Sequence, residues 1–246
     1  MKYMGSKSRI AKYIVPILQN EINKNNIKTY IEPFVGGANV IDKIVCEHKI
    51  GYDINPYLIA LHERVQKDKP LYKEVSKELY DDVRDCYNNG DERYTLAQIG
   101  CVGFLASYNG RWFDGGYATP GYEGDHYRDY YREAKDNLLK QSQQKLYKDI
   151  YFGVSSFDSS SITCSVNSLI YCDPPYEGTK QYGINKEFNH KSFWEWVRKM
   201  SWKNFVFVSE EHAPDDFECI WEQEVSRSIK AADKSKSVER LFVYRG

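Results

Sequence analysis

Ser168-Leu169-Ile170-Tyr171-Cys172-Asp173-Pro174-Pro175-Tyr176 is the stretch around which the rest of the chain is organised. Leu169 to Cys172 is an unbroken apolar run, the pattern of a parallel strand buried on both faces. It ends in an acid, two prolines and an aromatic ring. Asp173 precedes a proline, which pushes its backbone to an extended conformation. Pro174 and Pro175 each fix φ and carry no N–H, so the turn is stiff. Open α/β sheets place ligands at the carboxyl ends of their strands. There the turn offers a carboxylate, carbonyls with no local N–H competing for them, and a flat ring. Two acceptors and a stacking face suit a planar group bearing an NH₂. The plainer alternative is a proline-rich loop after a core strand; Tyr176 and the preceding apolar run weigh against it.

Working outward, Thr29-Tyr30-Ile31-Glu32-Pro33-Phe34-Val35-Gly36-Gly37-Ala38-Asn39-Val40 predicts a strand over Tyr30–Glu32, a turn from Pro33 to Gly37 and a helix from Ala38 to about Cys46. Paired glycines let the backbone turn sharply and let a ligand touch it. The turn is not G-x-G-x-x-G and no Walker lysine follows, so a dinucleotide or triphosphate fits poorly. A second strand, Lys49 to Ile54, places Asp53 at its end, about 20 residues past the glycine turn, where an acid can accept from both hydroxyls of a ribose. A capping role competes for this position, since Asp53 or Asn55 before Pro56 would start the next helix well; ribose binding by Asp53 with Asn55 as the cap is the favoured division.

At the N-terminus the pattern predicts an amphipathic helix from about Lys7 to Glu21, kinked or broken at Pro16. From Pro56 to about Ile150 the alternation of strand and helix stops. Pro56–Val65 and Leu71–Cys86 read as helices, with a break at Asn88-Asn89-Gly90, and Thr95 to Leu105 as another despite its glycines. The aromatic-rich Ser107 to Gly121 carries Asn-Gly and Asp-Gly signals and reads as a hairpin at Tyr108–Tyr117. Its rings, interleaved with Arg111, suit a sugar-phosphate backbone and bases, or else pack a small core of their own. Asp125 to Lys148 reads as one long polar helix whose charges nearly balance. The α/β pattern then resumes with strand Ile150–Val154, the stretch opened above, a helix within Lys191–Met200 and strand Phe205–Ser209. Strands near Cys219–Val225 and Arg240–Tyr244, joined by a polar loop at Lys230 to Lys236, close the sheet as an antiparallel hairpin.

The 246 residues suffice for one large domain or a domain with an insertion; 41% are hydrophobic and 28% charged, ordinary for a soluble globular protein. The formal net charge of −1 requires any nucleic-acid surface to be a local patch. The six cysteines form no C-x-x-C pair and the five histidines are scattered, so no metal is expected, and reduced thiols fit a cytoplasmic protein. No apolar run approaches membrane-spanning length and no signal-peptide h-region is present, so no membrane partner is expected.

The stretch ending in Asp173-Pro174-Pro175-Tyr176 resembles motif IV of the amino-methyltransferases, which methylate the exocyclic amine of adenine or cytosine in DNA. Glu32-Pro33-Phe34-Val35-Gly36-Gly37 closely resembles the turn that holds S-adenosylmethionine in Dam-type DNA adenine methyltransferases. Lys2-Tyr3-Met4-Gly5-Ser6-Lys7 is similar to the N-terminal motif of the same family, although a lysine near an N-terminus is by itself most simply solvated. The resemblance covers nearly the whole chain in one order and matches least well in the insertion.

It implies a Rossmann-like α/β catalytic domain, residues 1–56 and 148–246, with a mostly parallel sheet and an antiparallel C-terminal hairpin. It also implies an inserted, mainly helical target-recognition domain with a β-hairpin, residues 57–147. S-adenosylmethionine is then the expected cofactor and double-stranded DNA the expected partner. Asp173, Pro174, Pro175 and Tyr176 are implied as catalytic. Tyr3, Lys7, Phe34, Gly36, Gly37, Asp53, Ile54 and Asp173 are implied at the cofactor, with Ser156 and Phe157, or Asp158 instead, at its adenine. Tyr108, Asn109, Arg111, Trp112 and Phe113 are implied at the DNA. Asp173 favours adenine over cytosine. A protein or RNA methyltransferase and a catalytically silent DNA-binding scaffold are the other readings; the large insertion opposes the first, and the joint presence of Asp173, Asp53 and the glycine turn opposes the second.

Overall fold

A computed structural model describes residues 1, 5–163, 165–176, 188–226 and 236–246. After a 3-10 turn at Lys7–Arg9 come α1 (Ala11–Lys24), β1 (Thr29–Glu32), β2 (His48–Asp53), α2 (Pro56–Gln66), α3 (Lys77–Asn89) and α4 (Leu96–Gly100). There follow β3 (Gly121–Glu123), β4 (His126–Arg128), α5 (Tyr130–Ser142), α6 (Lys145–Lys148), β5 (Ile150–Val154) and α7 (Ser160–Thr163). The chain continues with β6 (Leu169–Cys172), α8 (His190–Ser201), β7 (Phe205–Glu210), β8 (Phe217–Ser226) and β9 (Lys236–Tyr244). Tyr3 and most of the loop expected at Lys230 to Lys236 lie outside the described residues.

Seven strands form one sheet in the order β5-β2-β1-β6-β7-β9-β8. The five on the β5 side run parallel, and β9 joins β7 and β8 antiparallel. The fold is therefore a mixed α/β sheet, mostly parallel with an antiparallel end. All of β6 is buried, and its side chains alternate between the two faces. Leu169 and Tyr171 join the core that holds α1, α2 and the helices inserted after β2, while Ile170 and Cys172 join the core under α8. Helix α1 lays Ile14, Leu18 and Ile22 on one face, α8 lays Phe193, Trp196, Val197 and Met200 on the other, and burying a side chain of this size stabilises by about 2 kcal/mol.

Several local expectations change. Helix α1 continues through Pro16 to Lys24, so the expected break is absent; α1 packs three apolar turns on the sheet, and that burial outweighs one missing backbone hydrogen bond. In place of a helix over Ala38–Cys46 there is only a 3-10 turn at Ile41–Lys43, with Ala38 at φ 55° and Ile44 extended. The polar side chains of that segment bond elsewhere: Asn39 donates to Ser6 and Asp42 accepts from Gln141. The second inserted helix starts at Lys77, capped by Ser76, whose Oγ accepts from Leu79 N. Residues 71–76 precede it as loop, with the Tyr72 carbonyl taking the Tyr131 hydroxyl.

The expected helix over Asp125–Lys148 divides into β4, α5 and α6. Asp129 caps α5 by accepting from Arg132 N, and Gln144 is extended between α5 and α6. Thr95 does start a helix, through a capping box with Gln98, and its glycines have a purpose. A Cβ at Gly100 would lie 2.2 Å from the Tyr57 carbonyl oxygen, and one at Gly103 would lie 2.6 Å from the Trp112 ring. Those two positions let α2 and Trp112 pack directly on backbone.

Tyr108–Tyr117 is not a two-stranded hairpin. It is a folded loop of two 3-10 turns, Tyr108–Gly110 and Phe113–Gly115, closed by a single bridge between Ser107 and Tyr117. Trp112 is 5% exposed and packs on Tyr57, Tyr87 and Phe104; Phe113 packs on Tyr80 and Tyr87. Packing of these two rings, Trp112 buried and Phe113 half-buried, sets the loop's shape. The insertion's two-stranded hairpin is instead β3–β4, with Tyr122 and Tyr127 exposed.

Candidate active site

From β1 the chain moves outward to β2 and β5, then crosses back to β6 on the other side of β1. The switch point therefore lies between β1 and β6, where open α/β sheets bind ligands beyond the carboxyl ends. Four segments leave that edge side by side: Ser155 to Asp158 after β5, Asp53 at the end of β2, the glycine turn after β1, and Asp173 after β6. Glu32 is level with Gly51, Ile31 with Ile170, and Asp53 with Val154.

Asp53 ties three of these segments together. Its Oδ2 accepts from Gly36 N at 3.2 Å, its Oδ1 from Asn55 N at 2.9 Å, and its carbonyl from Ser155 N at 3.0 Å. Burial raises its pKa from 3.8 to about 6 against the pull of those N–H groups. A carboxylate has about four lone-pair sites, so each oxygen can accept a further hydrogen. Asn55 caps α2 by accepting from Tyr57 N and Leu58 N, with Pro56 opening the helix, as expected. Ile54 is exposed beside it.

Gly36 stands at φ 47°, a conformation costly for any residue with a Cβ. Its carbonyl accepts from His62 Nε2 at 2.7 Å, and His62 Nδ1 lies 2.6 Å from the Tyr147 hydroxyl. A carbonyl only accepts, so Nε2 carries the proton and Nδ1 accepts from Tyr147. The ring is fully buried, stacks on Phe152 at 4.7 Å, and has its pKa lowered by burial from 6.5 to about 4. His62 has no place in the sequence reading, although it continues the buried stripe of α2 formed by Leu58, Leu61 and Val65. A histidine on an apolar stripe is the signal that could have found it.

Phe34 and Phe157 lie stacked, centroids 5.7 Å apart, above a cluster of Phe188, Phe193 and Trp196. Ser156 Oγ donates to Asp158 Oδ1 at 2.5 Å, so the residue pair competing for one role is linked.

Lys7 is not a solvated lysine: only 7% of its side chain is exposed. Its ammonium lies 3.1 Å from Asp173 Oδ1 and 3.0 Å from Glu239 Oε2, and 4.3 Å from the centre of the Tyr176 ring. The Tyr176 hydroxyl donates to Glu239 at 2.6 Å and also meets Lys7. Burial opposes the charge on Lys7, yet the two carboxylates outweigh it and raise its pKa. At Asp173, burial and then the like charge of Glu239 outweigh the attraction of Lys7, and the pKa rises from 3.8 to about 6. Glu239 lies on β9, in Ser237-Val238-Glu239-Arg240, a stretch with no motif and no sequence signal.

The structure thus brings together Lys7, Asp173 and Tyr176, and separately Gly36 and Asp53, on adjoining strands. Tyr108 and Asn109 are exposed on the insertion and Arg111 is half-buried there. A depression of about 350 Å³ lined by Ile22, Asn26, Val45 and Glu47 lies at the amino ends of β1 and β2. That is the end of a parallel sheet away from ligands. Among the described residues no helix is long and apolar enough to cross a membrane.

Residues 3–199 match the family described as D12 class N6 adenine-specific DNA methyltransferase. A type II methyltransferase of Methanocaldococcus jannaschii is 27% identical over 203 residues, which cover 72% of this chain and 68% of that enzyme. A DNA adenine methylase of Vibrio cholerae is 26% identical over 162 residues, 59% of this chain and 55% of that protein. A type II methyltransferase of Planomicrobium okeanokoites is 23% identical over 191 residues, 72% of this chain and 28% of that protein.

Proposed function

The chain belongs to the D12 class of N6 adenine-specific DNA methyltransferases, and on that premise we propose that it moves the methyl group of S-adenosylmethionine to the N6 amine of an adenine flipped out of duplex DNA. The observation that carries this reading is the adjacency, across β1 and β6, of an acceptor-rich turn holding Asp173 and a glycine turn tied to Asp53. The residues present fit the cofactor. Asp53 keeps acceptor capacity for two ribose hydroxyls, Gly36 gives the backbone a close approach, and Phe34 and Phe157 offer apolar ring surface nearby. When bound, S-adenosylmethionine supplies an electrophilic methyl carbon on a sulfonium.

The amine is a poor nucleophile because its lone pair is delocalised into the purine. Asp173 and the Pro174 carbonyl accept its two hydrogens and draw the nitrogen toward a tetrahedral shape, with the lone pair aimed at the methyl. Bound there, the cofactor would give its methyl to the amine nitrogen and keep the S–C electron pair on sulfur, and Asp173 would take the amine proton released. Pro175 keeps the turn rigid, and the Tyr176 ring lies against the base. The target atom is unreachable inside a duplex, so the base must leave the stack. Recognition falls to the segment between residues 57 and 147, where Tyr108, Asn109 and Arg111 border the DNA. The exposed Tyr122 and Tyr127 of β3–β4 add a second protruding surface of the same segment.

The test is to sequence DNA from cells expressing the chain, with detection of methylated bases. N6-methyladenine at one recurring site supports the reading; N4-methylcytosine or unmodified DNA overturns it.

A further inference from the structure

We propose that Glu239 is a positioning residue of the methyl-transfer site: from the antiparallel end of the sheet it holds the Lys7 ammonium and the Tyr176 hydroxyl, so that Lys7 is shared between Glu239 and Asp173 Oδ1 rather than committed to Asp173 alone. This rests on the reading of Asp173 given above.

The geometry requires some such residue. Asp173 must present a charged oxygen to an amine, but a lone ammonium 3.1 Å away would be its natural partner and would compete with that amine. Glu239 divides the ammonium. Its Oε2 takes Lys7 at 3.0 Å and the Tyr176 hydroxyl at 2.6 Å, so two groups of the site converge on one oxygen. Glu239 and Asp173 are 17% and 21% exposed and Lys7 is 7% exposed, so water screens these charges weakly. The same bond fixes the phenol end of Tyr176, and hence the plane of its ring. Two carboxylates around one ammonium leave a local excess of negative charge, which suits a centre where the reacting nitrogen becomes positive.

The groups facing Asp173 are Lys7 from the N-terminal turn, Glu239 from β9, Tyr176 from its own turn, Tyr171 and Cys172 from β6, and Glu32 from β1. Tyr171 and Cys172 have pKa values pushed well above their ordinary ranges by burial, so both stay neutral. Burial likewise pushes Glu32 well up, and it accepts from the Tyr30 hydroxyl at 2.7 Å. Lys7 and Glu239 are therefore the two partners whose removal moves Asp173, and they move it in opposite directions.

The experiment measures kcat for labelled methyl transfer to unmethylated genomic duplex DNA, from about pH 5 to about pH 9. It compares the full wild-type chain with Glu239→Gln, Glu239→Asp and Lys7→Met. The acidic limb of Glu239→Gln should move down by about one pH unit with a lower plateau, since Lys7 then closes onto Asp173. The limb of Lys7→Met should move up by about the same amount, and Glu239→Asp, which keeps the charge, should restore the wild-type limb. A merely structural glutamate would lower the plateau and leave the limb where it was. That result, or a Glu239→Gln limb moving in the same direction as Lys7→Met, overturns the proposal. Should Glu239→Gln not fold, Glu239→Ser carries the same test. A wild-type chain that transfers no methyl group refutes the methyltransferase reading instead.

Discussion

His62 holds the glycine turn by its carbonyl: Nε2 donates to Gly36 O across 2.7 Å, while Nδ1 accepts from Tyr147 at the end of the insertion. One neutral ring thus couples α2, α6 and the segment after β1. Unfolded, the imidazole titrates near 6.5; folded, near 4. Between those values only the unfolded chain takes up the proton. The stabilisation is complete above about pH 6.5 and is lost as the pH falls toward 4, up to about 3 kcal/mol. Asp53 and Asp173 act oppositely: with folded pKa values of about 6 against 3.8, their contribution is present at low pH and is lost as the pH rises through about 6. Comparison with His62→Phe, which keeps a flat ring, isolates the histidine. The variant should lose most stability above pH 6.5 and least near pH 4, as followed by denaturant melts; a loss independent of pH would refute the neutral-ring assignment.

Asp173 must be ionised to accept an amine hydrogen, and its pKa lies at about 6. Methyl transfer at saturating substrates should fall about tenfold per pH unit below that value and level off above it. Asp173→Asn keeps the shape and removes the charge, so it should abolish transfer while calorimetry still detects cofactor binding. A folded Asp173→Asn with wild-type turnover is incompatible with the assignment.

Asp53 accepts from Gly36 N and Asn55 N before any ligand arrives. A hydrogen bond to a charged group contributes about 1.5–3 kcal/mol, so Asp53→Ala should weaken S-adenosylmethionine binding about tenfold or more. Unchanged affinity by calorimetry would reduce Asp53 to a tie between the β2 end and the glycine turn.

Trp112 and Asn109 sit three residues apart in one loop and should behave differently. Trp112 is buried, so Trp112→Ala should cost about 3–5 kcal/mol of stability. Asn109 is exposed at φ 56°, where glycine is tolerated, so Asn109→Gly should fold normally. If Asn109 reads a base edge, that variant should lose about 1–3 kcal/mol of discrimination between target and single-base near-target duplexes. Unchanged discrimination removes Asn109 from the recognition surface.

The sequence by itself determined the parallel strands and the two turns. An all-apolar run such as Leu169–Cys172 has few options other than burial between two layers. Pro174, Pro175 and Gly36 act on backbone dihedrals, which are local quantities. The cap that Asn55 puts on α2 was legible for the same reason: capping is decided within a few residues. What involves partners far apart in the chain was not legible. Lys7 read as solvated because its two carboxylates lie at Asp173 and Glu239, brought to it only when β9 inserts beside β7. His62 was passed over because its partners, Gly36 and Tyr147, belong to separate segments. The hairpin expected at Tyr108–Tyr117 gave way because two rings gain more by packing against α2, α3 and Phe104 than a short ladder returns. Local dihedral preference writes itself into the sequence; the pairing of buried charges and rings is decided by which strands and helices the tertiary fold sets side by side.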